Sequence, residues 1–180
     1  RPVHSMIALH GAEIVPLQLL GLTAGRSTFG HRFMSKGALM IAHADEYSST
    51  LEADGKVIAS VAARKEKIRS ALLEAAGADA ALMPEALLDE VTALVEWPVV
   101  LMGSFDKAFL DIPGEVIRAT IRTNQKCFVL RDPQTARLVN KFILVSNIEA
   151  SEGSKAIVAG NERFIRPRPP DSTFLHDTAL

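Results

Sequence analysis

The stretch Leu87-Leu-Asp-Glu-Val-Thr-Ala-Leu-Val-Glu-Trp-Pro98, followed directly by Val99-Val-Leu-Met102, decides the fold class. Leu87, Leu88, Val91, Leu94 and Val95 recur at i, i+1, i+4, i+7 and i+8, while Asp89, Glu90 and Thr92 fall on the other side. That spacing predicts one amphipathic helix with a narrow apolar face. Trp97-Pro98 stops it, because a proline disfavours helical backbone at the residue before it, and the apolar run behind is short enough for a buried strand. Leu87, Val91, Leu94 and Trp97 are expected in the core, with a helix packed onto a sheet.

Upstream, Val3, Ser5, Ile7 and Leu9 alternate with His4, Met6, Ala8 and His10, a strand pattern that Gly11-Ala12 can turn into Ile14 to Leu20 as a β-hairpin. Gly21, Gly25 and Gly30 punctuate a loop that carries Arg26 and leads into a short extended piece, His31 to Met34. A helix is expected over Ala44 to Ala53, with Asp45 and Glu46 in the first turn, where they complement the helix dipole, and Asp54-Gly55 as its stop. Lys56 to Ala59 reads as a brief strand or linker. Ser60 can cap a longer helix over Val61 to Ala76, which Gly77 ends.

Downstream, Pro84 suits the first position of the helix that runs to about Glu96. Phe105 to Leu110 reads as a short helical turn, and Pro113 to Thr123 as a further helix with Val116, Ile117, Thr120 and Ile121 inward. Lys126 to Leu130 and Lys141 to Val145 form two antiparallel strands around an Asp132-Pro133 turn. Residues 153–166 carry a last helical pattern that Pro167, Pro169 and Pro170 end. Hairpins and helices alternate without regular βαβ units, so the class is α+β, with a mixed sheet or two small antiparallel sheets packed with helices.

At 180 residues the chain suits a single domain, 1–180, that buries roughly 70% of its unfolded surface, with 153–180 as a helical extension ending in prolines. It opens at Arg1-Pro2 and is expected to be an internal piece of a longer subunit. The single cysteine, Cys127, excludes an internal disulfide and favours a reducing, cytoplasmic setting. No apolar run approaches the ~18 residues of a membrane span. Aromatics make up only 6% of the chain, which argues against a base-stacking platform. Net charge is −1, but residues 1–110 carry 10 Lys/Arg against 13 Asp/Glu while residues 111–180 carry 10 against 8, so a polyanion site should be local.

The chemistry-bearing residues exclude several enzyme classes. No two of the five histidines stand at i, i+4 on a predicted helix, and His4 and His10 lie about 20 Å apart along one strand face, too far for one metal ion. Cys127 sits inside a predicted strand without a base beside it and reads as a small buried hydrophobe. Asp89 and Glu90 point about 100° apart on a helix and cannot act as an acid/base pair. Gly153-Ser154-Lys155 lacks the upstream glycine of a phosphate loop, where Ile148 stands instead. Three basic groups remain as candidate contacts to a polyanion. Arg118 and Arg122 stand at i, i+4 with Lys126 next in the series; Arg163, Arg166 and Arg168 form a second array; Arg26, His31 and Arg32 lie on the glycine-punctuated loop.

Six motifs in order narrow the reading further. They are Arg1-Pro2-Val3-His4, Gly30-His31-Arg32-Phe33, the Leu87 to Pro98 stretch, Gln125-Lys126-x-Phe128, Asn140-x-Phe142-Ile-x-Val145-Ser-Asn147-Ile-Glu149, and Gly160-Asn-Glu162 followed by Arg166-Pro-Arg168. Together they resemble the β subunit of the bacterial heterotetrameric glycyl-tRNA synthetase, from residue 1 to about residue 174. Cys127 stands where that family pattern has a tyrosine, and the end departs from it at Pro169-Pro170 and Phe174-Leu175.

The resemblance implies an α2β2 assembly whose α subunit makes glycyl-adenylate from glycine and ATP with class II chemistry and magnesium, while the β subunit binds tRNA-Gly. No cofactor is expected in this segment itself, and it is expected to be non-catalytic alone. The same relation implies a fold similar to the B3/B4 domain of the phenylalanyl-tRNA synthetase β subunit. The expected partners are tRNA-Gly, the α subunit and the remainder of the β subunit. The basic groups would then receive the acceptor arm. A docking module without RNA contact and a hydrolytic editing remnant are the alternatives.

Overall fold

The computed structural model describes residues 3–111, 113, 117 and 126–148. Within them the chain is α+β, with four small sheets and three α-helices. The described residues divide into two compact units, one within Arg1–Arg69, Leu88–Val99 and Ser146–Ile148, the other within Ser70–Leu87 and Val100–Val145. The expected helices at Pro113 to Thr123 and 153–166 lie outside the described residues, although Ile117 itself is buried and its amide reaches the Pro113 carbonyl at 3.4 Å.

The first unit begins with three hairpins where one was expected. Strands β1 (Leu9–His10) and β2 (Glu13–Ile14) pair antiparallel around Gly11-Ala12, as the glycine predicts, but they are short. Pro16 has no N–H to give a ladder, so the pairing lapses and restarts as β3 (Gln18–Leu19) and β4 (Leu22–Thr23). Between them Leu20 and Gly21 both have positive φ, +55° and +75°, as a primed two-residue turn requires. For leucine this conformation costs about 1 kcal/mol, which the ladder must hold. The third hairpin joins β5 (Ser27–Phe29) to β6 (Ala38–Met40).

A 3-10 turn, Ala44–Glu46, opens with His43 accepting the Asp45 amide and leads into α1 (Tyr47–Ala53), so the expected helix is present with a tightened first turn. Residues 56–59 are a linker without strand pairing. Helix α2 (Val61–Ala76) has the expected limits: Ser60 Oγ accepts the Ala63 amide at 3.3 Å, and Gly77, at φ +59°, ends it. Helix α3 (Glu85–Leu94) starts where Pro84 predicts, with the Leu87 amide on the Pro84 carbonyl.

The inward face of α3 differs from the expected one. Leu87, Leu88, Val91 and Val95 are buried, but Leu94 is 60% exposed and Thr92 is 1% exposed. The buried stripe runs through 88, 91, 92 and 95, an i, i+3, i+4, i+7 set centred away from 94. Thr92 can join it because its hydroxyl donates to the Leu88 carbonyl at 2.7 Å, which removes most of the cost of burying it. Trp97 is only half-buried.

The second unit is built on a four-stranded sheet in the order β7-β9-β10-β8, from β7 (Ala80–Ala81), β8 (Val99–Ser104), β9 (Phe128–Arg131) and β10 (Leu138–Ser146). The β9–β10 pair and the Asp132 turn match expectation, and β7 pairs antiparallel with β9. Phe105, Ile117, Cys127, Val129, Phe142 and Leu144 form its core, with Leu82, Leu101, Leu110 and Leu138 at the edge. Each such fully buried side chain contributes about 1.5–3 kcal/mol. Phe142 packs so tightly against Gly103 that a Cβ there would overlap its ring. Burial pushes the Cys127 thiol up to about 12, so it is a neutral packing group, as its place in the strand predicts.

Candidate nucleic-acid interface

The β5–β6 hairpin pairs Ser27 with Met40, Thr28 with Leu39 and Phe29 with Ala38. Alternation puts Ser27, Phe29, Ala38 and Met40 on one face of the ribbon. That face is open: Phe29 is 62% and Met40 63% exposed.

At the tip, residues 31–34 were expected to be extended, yet they form a turn. Two local hydrogen bonds explain it. The Phe33 amide donates to His31 Nδ1 at 3.2 Å, and the Ser35 amide donates to the His31 carbonyl at 3.0 Å. An imidazole that accepts a bond two residues on competes with extended pairing. The turn is then anchored from below, because the His31 amide donates to the Gly55 carbonyl at 2.6 Å, just past the end of α1. Gly30 allows that approach; a Cβ there would overlap the Gly55 carbonyl and the Ser35 hydroxyl.

The result is a turn with a buried base and an exposed crown. His31 is 2% exposed, while Phe33 is 71% exposed with the Arg32 guanidinium 5.5 Å from its ring centroid. The His31 and Phe33 rings lie 6.2 Å apart at 57°. Arg32 and Lys36 are both exposed, and neither forms an ion pair among the described residues. A guanidinium over an open phenyl ring can meet a phosphate while the ring stacks on an unpaired base. The low aromatic content of the chain therefore does not exclude a stacking platform at this hairpin.

The other expected contacts divide three ways. Arg26 turns inward: its guanidinium donates to the Ala12 carbonyl at 3.0 Å and the Ala42 carbonyl at 3.3 Å, tying the β1–β2 turn to the residues after β6. Lys126 is half-buried at the entry to β9, in the second unit, with φ +52°. Arg118, Arg122, Arg163, Arg166 and Arg168 lie outside the described residues. Of the loop group Arg26, His31 and Arg32, only Arg32 presents its charge outward without a protein acceptor among the described residues.

Phe29, Phe33, Lys36 and Met40 were not legible as part of this surface. Phe33 stands inside the Gly30 to Phe33 motif, but exposure of a large apolar side chain has no signature in a local pattern. Elsewhere in the first unit, Ser5, Ile7 and Leu9, the side chains expected on one strand face, line a cleft of about 400 Å³ with Thr28, Ala44 and Tyr47. The cleft offers hydroxyls and no charge. Among the described residues, no three of His, Cys, Asp and Glu gather as metal ligands, and no helix is long and apolar enough to cross a membrane.

Comparison with known proteins is consistent across the chain. The family model for the glycyl-tRNA synthetase beta subunit matches residues 1–180. A glycine–tRNA ligase beta subunit from Ralstonia nicotianae is 54% identical over 177 residues, covering 98% of this chain and 25% of the relative. That of Dechloromonas aromatica is 50% identical over 186 residues, with 98% and 26% covered. That of Neisseria gonorrhoeae is 47% identical over 178 residues, again with 98% and 26% covered. The chain thus spans about a quarter of the length of the curated relatives it matches.

Proposed function

The chain belongs to the glycyl-tRNA synthetase beta subunit family, and from that premise we propose that it helps charge tRNA-Gly with glycine by holding the tRNA acceptor arm on the β5–β6 hairpin. In this reading the chemistry lies elsewhere in an α2β2 class II enzyme of the cytoplasm. The α subunit forms the adenylate from glycine, ATP and magnesium, and this segment, a relative of the B3/B4 domain, positions RNA.

The observation that carries the proposal is the Arg32 guanidinium over the 71% exposed ring of Phe33. Leaving so large an apolar ring in water gains nothing for the fold, whereas a base stacked on it contributes about 1–3 kcal/mol. Arg32 and Lys36 supply the phosphate contacts that set affinity and make it salt-dependent. His31 and Gly30 shape the turn from within, and Arg26 fixes the ribbon beneath it.

The test is Arg32→Ala with Phe33→Ala in the assembled enzyme. Affinity for tRNA-Gly should fall about tenfold and the slope of log affinity against log salt should drop by about 1. Glycine-dependent ATP–pyrophosphate exchange, which needs no tRNA, should be unchanged. Unaltered affinity and slope would overturn the assignment of this hairpin.

A second reading, subunit docking, has its own observation. Leu17, Leu19 and Leu20 on the β3–β4 hairpin are 43%, 56% and 67% exposed. Under it, Leu17→Ser with Leu19→Ser would weaken association of the α and β subunits at dilution while leaving tRNA affinity of the intact assembly alone. Sedimentation of the double variant separates the two.

A further inference from the structure

Helix α2 carries four cations in six residues, Arg64, Lys65, Lys67 and Arg69, and the structure gives three of them an acceptor. Arg64 turns inward, donating from Nε to the Thr92 carbonyl at 3.0 Å and from Nη1 to the Ile58 carbonyl at 2.8 Å. Lys65 pairs with Asp89, and Arg69 with Glu66. Lys67 is left with a different neighbour. Its ammonium lies 4.4 Å from the ring centroid of Trp97, and the ammonium of Lys56 lies 5.1 Å from the same centroid.

Two positive charges on one indole repel each other, so the arrangement has to be held by other forces. Trp97 is fixed from behind, because its amide and that of Glu96 both donate to Asn147 Oδ1, at 2.9 and 2.7 Å. Lys56 is fixed by its backbone. It takes φ +52°, an unfavourable conformation for lysine, and the next two amides are held, Val57 donating to the Leu51 carbonyl and Ile58 to the Glu96 carbonyl. No carboxylate among the described residues pairs with Lys56 or Lys67. An aromatic ring with two cations and no counter-ion among the described residues is an incomplete electrostatic unit. Such a unit attracts an anion to either ammonium group.

We propose that Lys56, Lys67 and Trp97 form a seat for a backbone phosphate of bound RNA. The site also has the right neighbour. Lys56 follows Gly55, whose carbonyl accepts the His31 amide, and His31 precedes Arg32, so Arg32 and Lys56 flank a single hydrogen bond in the same unit. The hairpin crown and the Trp97 seat together make a phosphate track with one stacking platform. The proposal rests on the reading that this segment binds tRNA, but not on the hairpin being where it does so.

The experiment compares Lys56→Gln/Lys67→Gln with Lys56→Arg/Lys67→Arg in the assembled enzyme, titrating tRNA-Gly at several salt concentrations. The glutamine pair should weaken binding about tenfold and lower the salt slope by about 1 to 2, and the arginine pair should restore both. If the two lysines only brace the indole, the glutamine pair lowers the melting temperature and leaves the slope unchanged, and the proposal falls. Lysine methylation of the unmutated enzyme gives an independent readout: Lys56 and Lys67 should be protected by tRNA-Gly, and equal labelling with and without it would also overturn the seat. A normal slope for Arg32→Ala/Phe33→Ala beside a reduced one for the glutamine pair would remove the hairpin from the interface and keep the seat. The reverse pattern would do the opposite.

Discussion

Two hairpins of this chain use phenylalanine in opposite ways. In β9–β10, Phe128 and Phe142 are fully buried, and three of the four residues of β9 are inside. In β5–β6, Phe29 and Phe33 are 62% and 71% exposed, and no residue of either strand is buried. The first ribbon lies in a four-stranded sheet and is buried over 128–130 and 142–144, so those side chains hold the fold together. The second is a two-stranded ribbon tied down beneath its exposed face, by the His31 amide on the Gly55 carbonyl and by the Arg26 guanidinium on the Ala12 and Ala42 carbonyls. Its side chains are therefore free for a partner. The same residue type is structural where a sheet encloses it and available where the ribbon is anchored through other residues.

Substitutions can break that contrast. The largest effect is expected from Phe142→Ala, which should cost about 3–5 kcal/mol because the cavity it leaves beside Gly103 has no side chain to fill it. Hydrogen exchange of the β9 and β10 amides in the intact subunit would read it as easier opening, whereas Phe33→Ala should stay within about 0.5 kcal/mol. A comparable loss for Phe33→Ala would mean that its ring supports the fold after all.

Next comes Gly30→Ala. Its Cβ would overlap the Gly55 carbonyl, so the crown has to lift from its anchor, at about 1–3 kcal/mol. Loss of tRNA affinity together with lost amide protection at His31 would tie binding to the anchored geometry.

An effect that appears only above pH 9 is expected from Cys127. Its folded thiol keeps the proton up to about 12, while an unfolded chain releases it near the ordinary value of 9.0. The folded state therefore binds more protons between those values, and stability is whole below pH 9 and lost as pH rises toward 12. The melting temperature of the unmutated subunit should fall more steeply over that range than that of Cys127→Ala. Equal slopes would show that the thiol already ionises in the folded state.

Much of the scaffold was legible because its signals are local. Ser60 and Gly77 delimit α2 by capping chemistry that needs no tertiary partner, and Gly11 and Asp132 mark turns for the same reason. The strand Ala80–Ala81 was not legible, since two alanines carry no strand preference and pair only because β9 offers an edge. Leu94 and Thr92 exchanged places because the helical pattern leaves the direction of the buried stripe open by one residue, and a threonine that bonds its own helix counts as apolar.

At the candidate site the family motifs placed Arg32 and Phe33 together, but not the burial of His31 or the inward turn of Arg26. Those depend on Gly55, Ala12 and Ala42, residues 14 to 24 positions away. The convergence of Lys56 and Lys67 on Trp97 joins three segments of the chain and leaves no trace in any one of them.

The central claim is that the first unit, through its β5–β6 crown, meets RNA. Photo-cross-linking of the assembled enzyme to tRNA-Gly, with the modified residues mapped by mass spectrometry, tests it most directly. Cross-links within residues 29–40, joined by Lys56 and Lys67, are the predicted result. Cross-links confined to residues 128–145, with none in the first unit, would contradict it.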